Sequence, residues 1–176
     1  MQKIKETVLS LTLINYQIKD IATTIGLIAL SIVAPAIFAH TPQNQWLTGI
    51  IVNATLFLAA YKLAPTNALF VAVLPSTVAL MRGLLPLPMA FLIPYIIIAN
   101  VLLIIIFGVM KKSLFAGIVF SSIVKFSFLY FISSLALEKF PIVLLTMLQW
   151  PQLFTALAGG LVAMTVIKIF HLEKVK

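Results

Sequence analysis

The run Tyr95-Ile96-Ile97-Ile98-Ala99-Asn100-Val101-Leu102-Leu103-Ile104-Ile105-Ile106-Phe107-Gly108-Val109-Met110-Lys111-Lys112 decides the fold class. Apolar side chains fall on every face of a helix built from it, so it is not the half-apolar stripe of a surface helix on a soluble core. Extended back to Met89, the run is long enough to cross roughly 30 Å of hydrocarbon at about 1.5 Å per residue. The paired lysines stop it at a membrane surface.

Reading outward, the same pattern recurs along the whole chain. Spans are expected at residues 21–38, 46–63, 67–85, 89–110, 114–137 and 151–170, with turns carrying proline, lysine or small polar residues between them. Residues 1–20 place Ile4, Val8, Leu11 and Ile18 on one helical face and Lys3, Glu6, Ser10 and Gln17 elsewhere, the pattern of an amphipathic helix lying on the bilayer. No cleaved signal peptide is expected, because Lys3 and Lys5 are followed by a mixed stretch rather than a short apolar core.

Composition agrees. Of 176 residues, 62% are hydrophobic and only 9% charged, where soluble domains carry about a quarter charged residues. One all-α membrane domain accounts for the chain. The net charge of +8 could suggest nucleic acid, but the basic residues sit between spans, where they set topology instead. Lys3, Lys5, Lys19, Lys62, Lys111, Lys112, Lys168, Lys174 and Lys176 fall on one side, against Arg82 and Lys139 on the other. Six helices with both termini cytoplasmic, in a bacterial plasma membrane, is the expected topology.

Few residues can carry chemistry. Lys125 lies near the middle of the fifth span, where a lysine costs several kcal/mol unless it meets a cavity or a partner. Ser121, Ser122 and Phe128 share its helical face. Asn53 and Asn100 lie within spans and must find hydrogen bonds, either to other helices or to a ligand. Arg82 closes the third span and suits a carboxylate or phosphate. His40 stands in the first loop, where it becomes an axial ligand only if the cargo contains iron. Trp150, ahead of Pro151, reads as an interfacial aromatic and a wall for a ligand. Two small-residue faces are candidate docking surfaces for another subunit: Ala64, Ala68 and Ala72 on the third span, and Ala22 with Gly26 on the first.

Catalysis finds little support. With no cysteine there is no disulfide, thiolate metal site or cysteine nucleophile. The only acids, Glu6, Asp20, Glu138 and Glu173, lie near span ends, and neither a paired-carboxylate nor a nucleotide-loop motif is present. An enzyme, and with it an intrinsic cofactor, is not expected.

Three stretches carry a family resemblance: Thr48 to Leu58, Gly83 to Pro88 and Trp150 to Gly160. With the six-span layout they resemble the substrate-binding membrane subunits, or S components, of energy-coupling-factor importers, in a branch often labelled "iron hydrogenase". That label fails here, since iron–sulfur clusters need cysteine ligands. The resemblance implies capture of a scarce micronutrient from outside and docking onto a transmembrane coupling subunit driven by two partner ATPases, which use the ATP. It further implies an Ala-x-x-x-Ala docking motif on the first span, where this chain has Ala22-x-x-x-Gly26. Lys125 and Arg82 favour an anionic cargo, while the many Phe, Leu and Met residues with His40 suit a large apolar ring system, so haem or a related tetrapyrrole ranks ahead of an anionic vitamin. A small channel or exporter, or an assembly subunit of a larger membrane complex, is the competing class.

Overall fold

The computed structural model describes residues 2–38, 44–83, 87–136 and 140–172. They form seven α-helices and one 3-10 turn: α1 (Gln2–Phe38), α2 (Asn44–Lys62), α3 (Pro65–Met81), a 3-10 helix (Leu87–Leu92), α4 (Ile93–Met110), α5 (Leu114–Leu135), α6 (Ile142–Thr146) and α7 (Trp150–Ile169). No strand occurs among the described residues. The fold is all-α, and four segments are long and apolar enough to cross a membrane: Gln17–Phe38, Ala90–Met110, Leu114–Leu135 and Ile142–Ile169.

The boundaries differ from expectation in instructive places. No break separates residues 1–20 from the first span, since α1 runs through as one helix about 55 Å long. Neither glycine nor proline interrupts residues 17–25, and the Thr23 and Thr24 hydroxyls fold back onto the Lys19 and Asp20 carbonyls within the helix. The expected start of the fourth span at Met89 is instead a 3-10 turn, and the α-helix begins at Ile93. Pro94 fixes that start, because proline fits the first helical turn, where no N–H is required.

Helix α2 is the hub. It packs against α1, α3, α4 and α7, while α1, α3, α4, α5 and α7 pack successively against one another around it. Every residue from Asn53 to Phe57 is buried. That position suits its composition: neighbouring helices surround it, so it tolerates the buried Asn53 and Thr55 where a lipid-facing helix would not.

Lys62, Lys111, Lys112 and Lys168 stand at or just past the ends of α2, α4 and α7 and define a basic end of the bundle, level with Lys19 and Asp20 partway along α1; α6 lies at the opposite, far end. At the basic end the Asn67 amide donates to the Asp20 carboxylate and ties α3 to α1. The α2–α7 crossing is closer still. A Cβ on Gly159 would stand 2.6 Å from the Ile50 carbonyl oxygen and 2.8 Å from the Ala54 nitrogen, and one on Gly160 would stand 2.3 Å from Ile118 of α5. Only glycine permits three helices to approach this closely.

Candidate functional site, a buried lysine held by two amides

Lys125 is 2% exposed at the middle of α5. Its ammonium donates to Asn53 Oδ1 of α2 at 2.7 Å and to Asn100 Oδ1 of α4 at 2.8 Å. Both amides have to present their oxygens, because an ammonium has only donors to offer.

Their orientation is fixed from behind. The Asn53 amide nitrogen donates to the Gly49 carbonyl at 2.8 Å and to Thr155 Oγ1 of α7 at 3.3 Å. Thr155 in turn donates to the Pro151 carbonyl at 2.7 Å. The Asn100 nitrogen donates to the Ala72 carbonyl of α3 at 3.4 Å. Pro75, inside α3, has no N–H and so leaves the carbonyl of Val71, the neighbour of Ala72, without its usual helical partner. Five helices therefore meet around one ammonium.

The charge has no carboxylate beside it among the described residues: Asp20 is bound to Asn67 at the basic end. Two of the three ammonium protons have acceptors, and the third has none among the described residues. Three residues before Lys125 on the same helix, the Ser122 hydroxyl is fully buried without a hydrogen-bond partner. By contrast, Ser121 donates to the Gly117 carbonyl at 2.6 Å.

Apolar layers close the junction on both sides. Toward the basic end stand Phe57, Leu103, Phe107 and Ile118, with the Phe57 and Phe107 rings edge to face at 4.9 Å. Toward the far end stand Leu92, Ala99, Leu129, Leu144 and Leu148. The α6 segment supplies Leu144 and, just beyond its end, Leu148. It is pinned by Gln45 and Gln152, each donating to the Met147 carbonyl at 3.2 Å, and by Gln149 donating to Ser133 Oγ at 3.2 Å.

The residues proposed from the sequence divide clearly. Lys125, Asn53 and Asn100 come together, but the asparagines face the lysine rather than an open cavity. Ser121 is spent on its own helix backbone and is not a free contact. Arg82 is exposed beyond α3, ten residues past Ala72 and so about 15 Å along the helix from the junction. Trp150 is 56% exposed and stacks on half-buried Phe126 at 5.0 Å, on the outside of the α5–α7 pair rather than within the junction. His40 lies outside the described residues.

Of the docking candidates on the third span, Ala64 is half-buried, whereas Ala68 and Ala72 are 1% and 0% exposed within the chain's own bundle, and the Ala72 carbonyl already serves Asn100. Smooth alanine faces let α1 and α4 approach α3, so the stripe is used internally. Ala22 and Gly26 are exposed, with open space around Gly26. Thr155 and the Ala72 carbonyl did not stand out in the sequence. A threonine next to small residues in an apolar helix is a common pattern, and a carbonyl has no sequence signal at all.

No group of three or more histidine, cysteine, aspartate or glutamate side chains suited to a metal ion occurs among the described residues. No family model matches the chain, and neither the curated proteins nor the solved structures contain a match to it.

Proposed function

We propose that this chain is the substrate-capturing membrane subunit of an energy-coupling-factor importer, crossing the membrane six times with both termini cytoplasmic. The observation that carries the reading is the buried Lys125 ammonium without a carboxylate beside it. A fixed cation in an apolar bundle favours a ligand that brings the negative charge with it. The basic ends of the helices, with Lys62, Lys111, Lys112 and Lys168 together, support the orientation, since such residues concentrate on the cytoplasmic side.

Haem or a related tetrapyrrole is the first cargo to test, because it joins a large apolar ring to carboxylates; an anionic water-soluble vitamin is the second. His40 is the axial ligand proposed for haem as cargo. In this reading Ala22 and Gly26 dock the coupling subunit, and ATP is hydrolysed by two partner chains. An assembly subunit is the second reading, favoured by one observation: Lys125 joins α5 to α2 and α4, as a purely inter-helix residue would.

The test is native mass spectrometry and absorption spectroscopy of the detergent-purified chain, with added haem and a vitamin panel, beside Lys125→Ala and His40→Ala. A retained ligand mass or haem band that weakens in Lys125→Ala, together with co-purification of a coupling subunit and ATPases, supports capture. Absence of any ligand, with partners that are not an ATPase module, supports the assembly reading.

A further inference from the structure

Two hydrogen-bond donors on one face of α5 have capacity that no acceptor among the described residues takes up: the Ser122 hydroxyl and the third N–H of the Lys125 ammonium. Ile118 of α5 meets Gly160 of α7. The two helices run in opposite directions, so one turn toward the far end Ser122 comes level with Ala156, next to Thr155. Gly159, on the same turn of α7, lies against the Cβ of Asn53, whose amide oxygen holds Lys125. Ser122 and Lys125 are three residues apart and lie on one face of α5. Helical serines usually donate to the backbone one turn back, as Ser121 does to Gly117, but Ser122 does not.

The junction therefore offers one N–H of an ammonium and one O–H, both buried, with no acceptor among the described residues to receive them. A buried donor left unpaired is costly, and two beside a positive charge are complemented best by an anion. We propose that Ser122 and Lys125 form a binding point for one monovalent anionic group of carboxylate or halide size, with Asn53 and Asn100 acting as positioning residues that hold the ammonium in place. Thr155 fixes Asn53 and so belongs to the same support. The proposal deepens the capture reading by naming the group of the cargo that is held, and it rests on that reading only for the anion's source.

The test uses the full chain in phosphatidylcholine nanodiscs. Sodium formate or sodium bromide replaces sodium gluconate, a much bulkier and strongly hydrated anion, at constant ionic strength, while thermal unfolding and tryptophan fluorescence are followed. Trp150, stacked beside the residue that follows Lys125, supplies a local optical signal. Wild type should show saturable stabilisation by formate and bromide. Ser122→Ala should raise the half-saturation concentration about tenfold, the loss of roughly one charge-assisted hydrogen bond, while leaving the unfolding temperature in gluconate unchanged or raising it, since the unpaired hydroxyl is gone. Lys125→Met should abolish the anion response, and the serine variant keeps the test decisive if that protein does not fold.

An identical titration in Ser122→Ala, or no difference between anions in wild type, overturns the proposal and leaves a water or an empty space between the donors. So does a Ser122→Ala protein already destabilised in gluconate. Competition between formate and haem that disappears with haem dimethyl ester supports the site and assigns it to the cargo's carboxylate; saturable formate binding without competition supports it with a free anion. Haem retention without any formate effect would leave capture standing and remove this site. A saturable formate effect with no cargo and no ATPase partners would do the reverse.

Discussion

The two apolar layers on either side of Lys125 are built differently. The basic-end layer is made by regular helices alone: Phe57 of α2, Leu103 and Phe107 of α4 and Ile118 of α5, clamped where Gly159 and Gly160 let α7 meet α2 and α5. The far-end layer depends on the short α6 and its flanks, held by leucine contacts and three glutamine hydrogen bonds. One layer is integral to the helix crossings, whereas the other is a short segment laid across them. Stability should therefore concentrate at the basic end, and any path to Lys125 that needs little unfolding runs through the far end.

The sharpest way to break this contrast is at the α2–α7 crossing. Gly159→Val should prevent formation of a monodisperse folded protein, seen as loss of the monomer peak in detergent gel filtration, with a penalty above about 4 kcal/mol because the backbone itself has to move. Recovery of a normal peak would show that the crossing is not the clamp described above. Phe107→Ala comes next. It removes an edge-to-face ring pair from the basic-end layer and should cost about 3 kcal/mol in reversible denaturant unfolding, with amide exchange accelerating along every helix.

Leu148→Ala should cost about 2 kcal/mol and speed exchange in residues 140–149 while the basic end stays protected. Equal, global acceleration from both substitutions would mean that the two layers melt as one unit and the contrast is wrong. Gln149→Ala removes a single bond to Ser133 and should cost about 1 kcal/mol, again confined to the far end. The smallest effect is expected on the open face of α1. Gly26→Leu should change the stability of the isolated chain by less than about 0.5 kcal/mol, while reducing co-purification of a coupling subunit if that face docks one.

Much of the helix content could be read from local sequence. Apolar runs closed by Lys62, Lys111-Lys112 and Lys168 placed α2, α4 and α7 to within a few residues, because in lipid each span has to satisfy its own backbone, whereas the start of α1 was missed by nineteen residues. Lys125 declared itself as unusual for the same reason: a charge in an apolar run has to be met by something. The partners that meet it were only half legible. Asn53 and Asn100 were visible as polar intrusions, but whether they faced a ligand or the lysine depended on helix rotation, which no single span encodes.

Sequence alone, then, determined that the protein is all-α and built for a membrane, that its basic residues gather at one set of helix ends, and that a lysine had to be accommodated at mid-span. Tertiary structure decided the rest. It made α2 the hub despite its polar residues, because shielding by neighbours replaces apolarity. It turned the Ala68 and Ala72 stripe inward and left Ala22 and Gly26 outward, since a small-residue face records that something packs closely without saying what. It also buried the Ser122 hydroxyl without a partner, three residues before Lys125 on the same face of α5, because helix packing rather than local sequence decides which side chains are shut away from water.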